Sequence, residues 1–160
     1  MTPTMPDKSS RDALLAGYRR FRDDRWPEER AEYEALAAGQ TPHTLVVACS
    51  DSRADPALIF DAAPGQLFVV RNVANLVPPY EPDGRLHGVS AALEFGVKVL
   101  QVSRIAVMGH AFCGGVNAML NGAPGNCQDF VAPWVAQGAP AVDDTIRSLP
   151  EPQRQRAAEE

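Results

Sequence analysis

Apolar positions follow two rhythms along this chain. Before Trp26, Leu14, Leu15, Tyr18 and Phe21 recur on one face at helical spacing, and Ser9 or Ser10 stands where an N-cap belongs. A helix is expected there, ending before Trp26-Pro27. Pro27 with Glu28 and Glu29 then opens a second helix, acidic in its first turn, which Gly39 stops. Past Gly39 the rhythm changes to short unbroken apolar runs. Thr44-Leu45-Val46-Val47-Ala48 and Ile105-Ala106-Val107-Met108 suit strands buried on both faces, and Leu67-Phe68-Val69-Val70 follows a Pro64-Gly65 turn. Between them, Pro56 to Phe60 reads as a short helix, and Val89 to Leu100 as a longer amphipathic one crossing over to the strand at Ile105. Gly114 and Gly115 open a further helix that stops near Gly122, and residues 151–160 read as one more. The expected fold is α/β: a mainly parallel sheet flanked by helices over residues 40–160, behind a helical N-terminal arm over residues 1–39.

Composition narrows the partners. With 160 residues, 45% of them hydrophobic, the chain can bury a single core. A net charge of −5 leaves no basic stripe for nucleic acid. Arg19, Arg20, Arg22 and Arg25 cluster, but Asp23 and Asp24 interrupt them, as on a solvated helix face. Met1 to Arg25 carries no secretory signal pattern, and no run approaches the roughly 20 apolar residues that span a bilayer. A cytoplasmic protein with no membrane partner is expected.

The strand ends carry the chemistry. Cys49-Ser50-Asp51-Ser52-Arg53 closes one apolar run and His110-Ala111-Phe112-Cys113-Gly114-Gly115 closes another. Two thiolates and an imidazole are the donors that borderline-soft Zn²⁺ prefers, and they leave a fourth tetrahedral position for an aspartate or a water. Ligands delivered from the carboxyl ends of parallel strands converge on one side of the sheet. Taken singly, each residue has a plain structural explanation: a buried thiol, a core histidine, a surface ion pair between Asp51 and Arg53. Their conjunction at two strand ends points to one Zn²⁺ per chain. The two glycines are expected to let the backbone approach the metal closely. Of the three cysteines, Cys127 is left over as an incidental thiol.

From about Gly39 to Gly115 the sequence resembles the β-class carbonic anhydrases, of the plant-type active-site pattern. The resemblance is carried by Cys49-Ser-Asp-Ser-Arg53, by Arg71-Asn72-Val73-Ala74-Asn75-Leu76-Val77-Pro78-Pro79-Tyr80, and by Gly109-His110-x-x-Cys113-Gly114-Gly115. It implies a zinc lyase, a carbonate dehydratase, that reversibly hydrates carbon dioxide to bicarbonate and a proton. By resemblance the zinc ligands are Cys49, His110 and Cys113, and the catalytic dyad is Asp51 with Arg53. Gln40 matches a glutamine that hydrogen-bonds bicarbonate. Phe68, Val73 and Phe95 match walls of the apolar substrate pocket, and Gly114 joins the substrate-binding set. Phe95 departs from a tyrosine in the plant-type enzymes, so it brings no hydroxyl.

The family's arm lies across a second subunit and its pocket is built across that boundary, so a homodimer or larger homo-oligomer is implied. Because two thiolates cancel the charge of the metal, Asp51 must help by orienting the attacking water while Arg53 holds the carboxylate. Bicarbonate-inhibited members carry a tryptophan three residues before the first cysteine. Val46 stands there instead, which implies Asp51 paired with Arg53 and off the metal. Two alternatives share the same residues: hydrolysis of carbon disulfide or carbonyl sulfide, and a non-catalytic interaction module stapled by zinc. Family members continue past residue 160 with a helix and a strand that extends the sheet, so a truncated or a naturally shortened chain is expected.

Overall fold

The computed structural model describes residues 11–151 and 153–159. The proposed cap at Ser9 or Ser10 lies outside them. The chain divides into two units, residues 1–40 and 41–160.

In the first unit, α1 (Arg11–Arg20) runs through a π-helical turn, Phe21–Arg25, directly into α2 (Trp26–Ala38). The expected break before Trp26-Pro27 is absent. Pro27 has no N–H to give and its ring crowds the carbonyl one turn back, so a regular α-turn cannot pass through it. The helix widens instead, with the Trp26 N–H donating to the Phe21 carbonyl five residues back. Phe21, Trp26 and Tyr33 gather around this turn with ring centroids 5.3–6.2 Å apart, and the Arg25 guanidinium lies over Phe21. The clustered arginines are exposed, and Arg25 and Arg30 pair with Glu29 and Glu34 one turn on. Leu14 and Tyr18 on α1 remain mostly exposed.

The second unit is built on a three-stranded parallel sheet of order β2-β1-β3, with β1 at Thr44–Cys49, β2 at Leu67–Asn72 and β3 at Arg104–Met108. As the central strand, β1 is buried from Leu45 to Cys49, which is why its sequence is apolar throughout. The expectation that β3 is buried on both faces does not hold. Among the described residues it pairs on one side only, and Ile105 and Val107 are 50% and 55% exposed.

Helices α3 (Pro56–Ile59) and α4 (Gly88–Glu94) link the strands. Asp55 caps α3 by accepting the Ala57 and Leu58 N–H groups. Instead of one regular helix to Leu100, α4 passes into a second π-helical turn at Phe95–Val99. After β3 come α5 (Gly114–Asn121), α6 (Val131–Ala136), α7 (Asp144–Ser148) and α8 (Gln153–Glu159). The stretch from 123 to 150, to which the sequence patterning assigned nothing, thus holds α6 and α7. Trp134 of α6 donates its indole N–H to the Val73 carbonyl at 2.7 Å, tying this stretch to the end of β2. The core under the strand ends comprises Cys49, Ala54, Ala74, Cys113 and Val116, bordered by Leu76, Met108, Met119 and Ala158. Among the described residues no helix is long and apolar enough to cross a membrane.

Candidate metal centre and dyad

The strand register brings the two motifs together. Cys49 is the last residue of β1 and pairs with Asn72, while Ala48 pairs with Met108, two residues before His110. Cys49, His110 and Cys113 converge so that their ligand atoms all lie within 4.8 Å of one another.

The two sulfurs stand 3.8 Å apart. Zinc–sulfur bonds of about 2.3 Å at the tetrahedral angle place two sulfurs about 3.8 Å apart, so the spacing suits the metal. The His110 Nδ1 lies 3.2 Å from the Ala111 carbonyl and 3.5 Å from the Arg53 Nη2, and among the described residues its buried Nε2 has no hydrogen-bond partner. An orphaned imidazole nitrogen beside two thiols is a donor set for a soft cation. Burial works against the Cys49 thiolate, but N–H donors from Asp51 and Ala74, together with His110, outweigh it and lower its pKa. Cys113 moves the other way: burial pushes its thiol up, and the facing Cys49 adds to the effect.

Asp51 follows Cys49 by two residues and is held on three sides by one neighbour. Arg53 donates Nε to Oδ1 and Nη2 to Oδ2, each at 2.9 Å, and its backbone N–H donates to Oδ1 at 2.9 Å. These bonds, the guanidinium first, hold the Asp51 carboxyl well below the usual carboxylate range. Arg53 is anchored in turn, its Nη2 donating to the Phe112 carbonyl at 3.2 Å.

Two supporting residues were assigned no role from the sequence. Arg71, seen there only as part of a motif, donates to the carbonyls of Cys49 at 2.9 Å and Asp51 at 2.6 Å and to the Asp55 carboxylate at 2.9 Å. One guanidinium thereby fixes both ends of the loop that carries Cys49 and Asp51 and steadies the α3 cap. Glu159 of α8 accepts the backbone N–H groups of Phe112 and Cys113. Both act through the backbone, which side-chain patterning does not reveal.

The remaining residues named from the sequence are not all gathered here. Val73 faces a groove of about 510 Å³ shared with Asn72, Pro78, His87, Phe130 and Trp134. Gly114 opens α5, and a Cβ there would meet nothing within 4 Å. Gly115 is the crowded glycine, and what it approaches is the Val73–Ala74 turn, where a Cβ would stand 2.7 Å from the Ala74 Cβ. Phe68 and Phe95 stack on each other at 5.8 Å. Phe68 precedes Asn72 by four residues, which puts it about 13 Å up β2 from the end that pairs with Cys49. Gln40 belongs to the first unit and is exposed. Cys127 is half-buried, with its thiol directed to the Asn126 side chain.

Residues 44–160 match the carbonic anhydrase family model. The chain belongs to the β-class carbonic anhydrases. It is similar to β-carbonic anhydrase 3 of Arabidopsis thaliana, 38% identical over 134 residues, a match that takes in 81% of this chain and 51% of that protein. Among solved structures it resembles the β-carbonic anhydrase CcaA, with a TM-score of 0.80 and 32% identity over 92% of this chain and 67% of that one. A chain from the crystal structures of two tetrameric β-carbonic anhydrases of Sordaria macrospora is also similar, with a TM-score of 0.73 and 26% identity over 91% of this chain and 73% of that one. The chain spans about half the length of the curated relatives it matches. Zinc is the cofactor of this class of carbonic anhydrase, and the two thiols with the free imidazole nitrogen form a site able to hold it.

Proposed function

We propose that this β-class chain catalyses the reversible hydration of carbon dioxide to bicarbonate and a proton, with Asp51 and Arg53 as its catalytic dyad. The observation that carries this is the placement of Asp51: a carboxylate two residues from Cys49, locked by a guanidinium fork beside a cluster of three metal donors among the described residues. A purely structural zinc site is normally closed by four protein ligands and needs no such group. Zinc held by Cys49, His110 and Cys113 supplies the Lewis acidity that makes water nucleophilic near neutral pH.

The protein groups direct that water. Asp51 stays ionised at neutral pH because Arg53 favours the charged form, so it serves as an acceptor. It holds one water hydrogen and turns an oxygen lone pair toward the substrate carbon. Arg53, with both contacting nitrogens engaged, keeps the carboxylate from rotating. Val73 and the mostly apolar groove it faces give an uncharged, apolar substrate a matching surface. Gly114 is assigned to the bicarbonate side of the reaction by resemblance to the family, and Gln40 is carried over on that resemblance alone. Phe68 and Phe95 lie up-strand of their own cluster, so we assign them to the pocket of a second copy, which requires at least a dimer. Light scattering tests that assignment, and an active monomer would contradict it.

Stopped-flow hydration of carbon dioxide on protein of known zinc content is the deciding assay. Activity should scale with zinc content and fall at least 100-fold in Asp51→Asn. A folded, zinc-replete sample without activity would sink the proposal.

A further inference from the structure

Two of the three metal donors sit on residues 109–113, the loop between β3 and α5, where Cys113 is the N-cap of α5 and its carbonyl accepts the Asn117 N–H. Helix α8 reaches this loop with one carboxylate. Glu159 accepts the Phe112 N–H on Oε2 at 2.9 Å and the Cys113 N–H on Oε1 at 2.7 Å. Gln155, one turn earlier, donates Nε2 to Glu159 Oε1 at 2.9 Å and to the Cys113 carbonyl at 3.2 Å, bracketing the same residue. Phe112 has φ +56°, a left-handed conformation that a bulky side chain does not adopt unless its surroundings hold it there. Its carbonyl accepts from Arg53, and Arg53 holds Asp51.

We infer that Glu159 is a positioning residue for the whole centre: its carboxylate fixes the backbone of Phe112 and Cys113 and, through the Phe112 carbonyl, the guanidinium that aims Asp51. The chemistry calls for a carboxylate. Two adjacent N–H donors converge on the two oxygens of one acceptor-only group. A glutamine would offer a single acceptor and turn its NH₂ toward the other donor, and an aspartate is one methylene too short. The link from Glu159 to zinc affinity rests on the metal reading above, but the ordering of the loop does not.

The 160-residue chain, loaded with zinc or with Co²⁺ as a spectroscopic reporter, tests this in Glu159→Ala and Glu159→Gln. Glu94→Gln is the control, because the Glu94 carboxylate pairs with Lys98 one turn on and takes no part in the clamp. Glu159→Ala should lower zinc affinity in chelator competition by about 10- to 100-fold, the usual effect of removing an outer support, with Glu159→Gln between it and the parent. The thiolate-to-cobalt and d–d bands should move in both Glu159 variants and not in the control. Amide hydrogen exchange at Phe112 and Cys113 should quicken at least tenfold in Glu159→Ala, in metal-free protein as well. A folded Glu159→Ala with zinc affinity within twofold of the parent, an unmoved cobalt spectrum and protected amides would overturn the inference. If Glu159→Ala does not fold, Glu159→Gln decides on the same readouts. If the parent takes up neither metal, the metal reading has failed, and the exchange data alone judge the clamp: unprotected parent amides would overturn it.

Discussion

Gly114 and Gly115 stand side by side in one motif, yet a single methyl group should have opposite effects on them. In Gly115→Ala the new Cβ would lie 2.7 Å from the Ala74 Cβ, 2.9 Å from the Ala74 backbone nitrogen and 2.9 Å from the Val73 Cγ1. Each is close to 1 Å inside ordinary contact. Two of the three obstructing atoms belong to a buried residue with φ +66°, whose N–H faces the Cys49 sulfur. Overpacking against such a turn costs about 1–3 kcal/mol. The gain from a stiffer unfolded chain offsets about 0.4–1 kcal/mol of it. The net loss of about 1–2 kcal/mol corresponds to a Tm lower by roughly 2–8 °C in a chain of this size. Gly114→Ala meets nothing within 4 Å and should be neutral or stabilising by up to about 0.5 kcal/mol. Thermal unfolding of both variants, with zinc loaded and stripped, is the assay. A Gly115→Ala variant as stable as Gly114→Ala in both states would refute the claim that the Val73–Ala74 turn is what demands a glycine.

Three further outcomes are expected. Arg71→Lys should lose about 2–4 kcal/mol in urea unfolding, since a point charge cannot serve the Cys49 and Asp51 carbonyls and Asp55 together; a change below 0.5 kcal/mol would show that the fork is dispensable. Cys49→Ser, His110→Ala and Cys113→Ser should each largely abolish zinc retention by elemental analysis, and full occupancy in Cys113→Ser would remove that residue from the ligand set. Asp51 ionises more readily folded than unfolded, so its pairing with Arg53 contributes stability that is fully present above the ordinary carboxylate range near pH 4 and fades as pH falls toward the lowered folded value. Arg53→Ala should therefore differ most from the parent at neutral pH and converge with it in acid; a gap that widens on acidification would mean the sign is wrong.

What the sequence made legible was whatever side chains declare by type. Cys49, His110 and Cys113 announce soft ligands, and the run ending at Cys49 announces a strand buried on both sides. The same rule misled at β3, because an apolar run specifies affinity for cover and not whether cover exists; Ile105 and Val107 stay open to solvent. Pro27 looked like a stop because its missing N–H forbids an α-turn, but a helix can answer with a wider turn, as Phe21–Arg25 does. The stretch from 123 to 150 is rich in alanine, glycine and proline and shows no period, so α6 and α7 left no trace until Trp134 was seen bonded to Val73. Arg71 and Glu159 escaped notice for a deeper reason. They recognise peptide groups, which every residue carries, so nothing in the identity of their partners marks them out.

The order of strands also has a kinetic meaning. Cys49 and Cys113 lie 64 positions apart in the chain. Closing a loop of that length costs about 4 kcal/mol in chain entropy before any contact rewards it. Zinc meeting an unfolded chain would face that cost unaided, whereas pairing β1 with β3 has already absorbed it. Metal capture should thus come late, at donors that the sheet has already brought together. Refolding with zinc present should show its ultraviolet thiolate band growing after the far-ultraviolet signal of the sheet is complete, and chelation should empty the centre while leaving β1 between its two neighbours. Unlike a small domain that exists only around its ion, this chain makes the ion a tenant of a finished house.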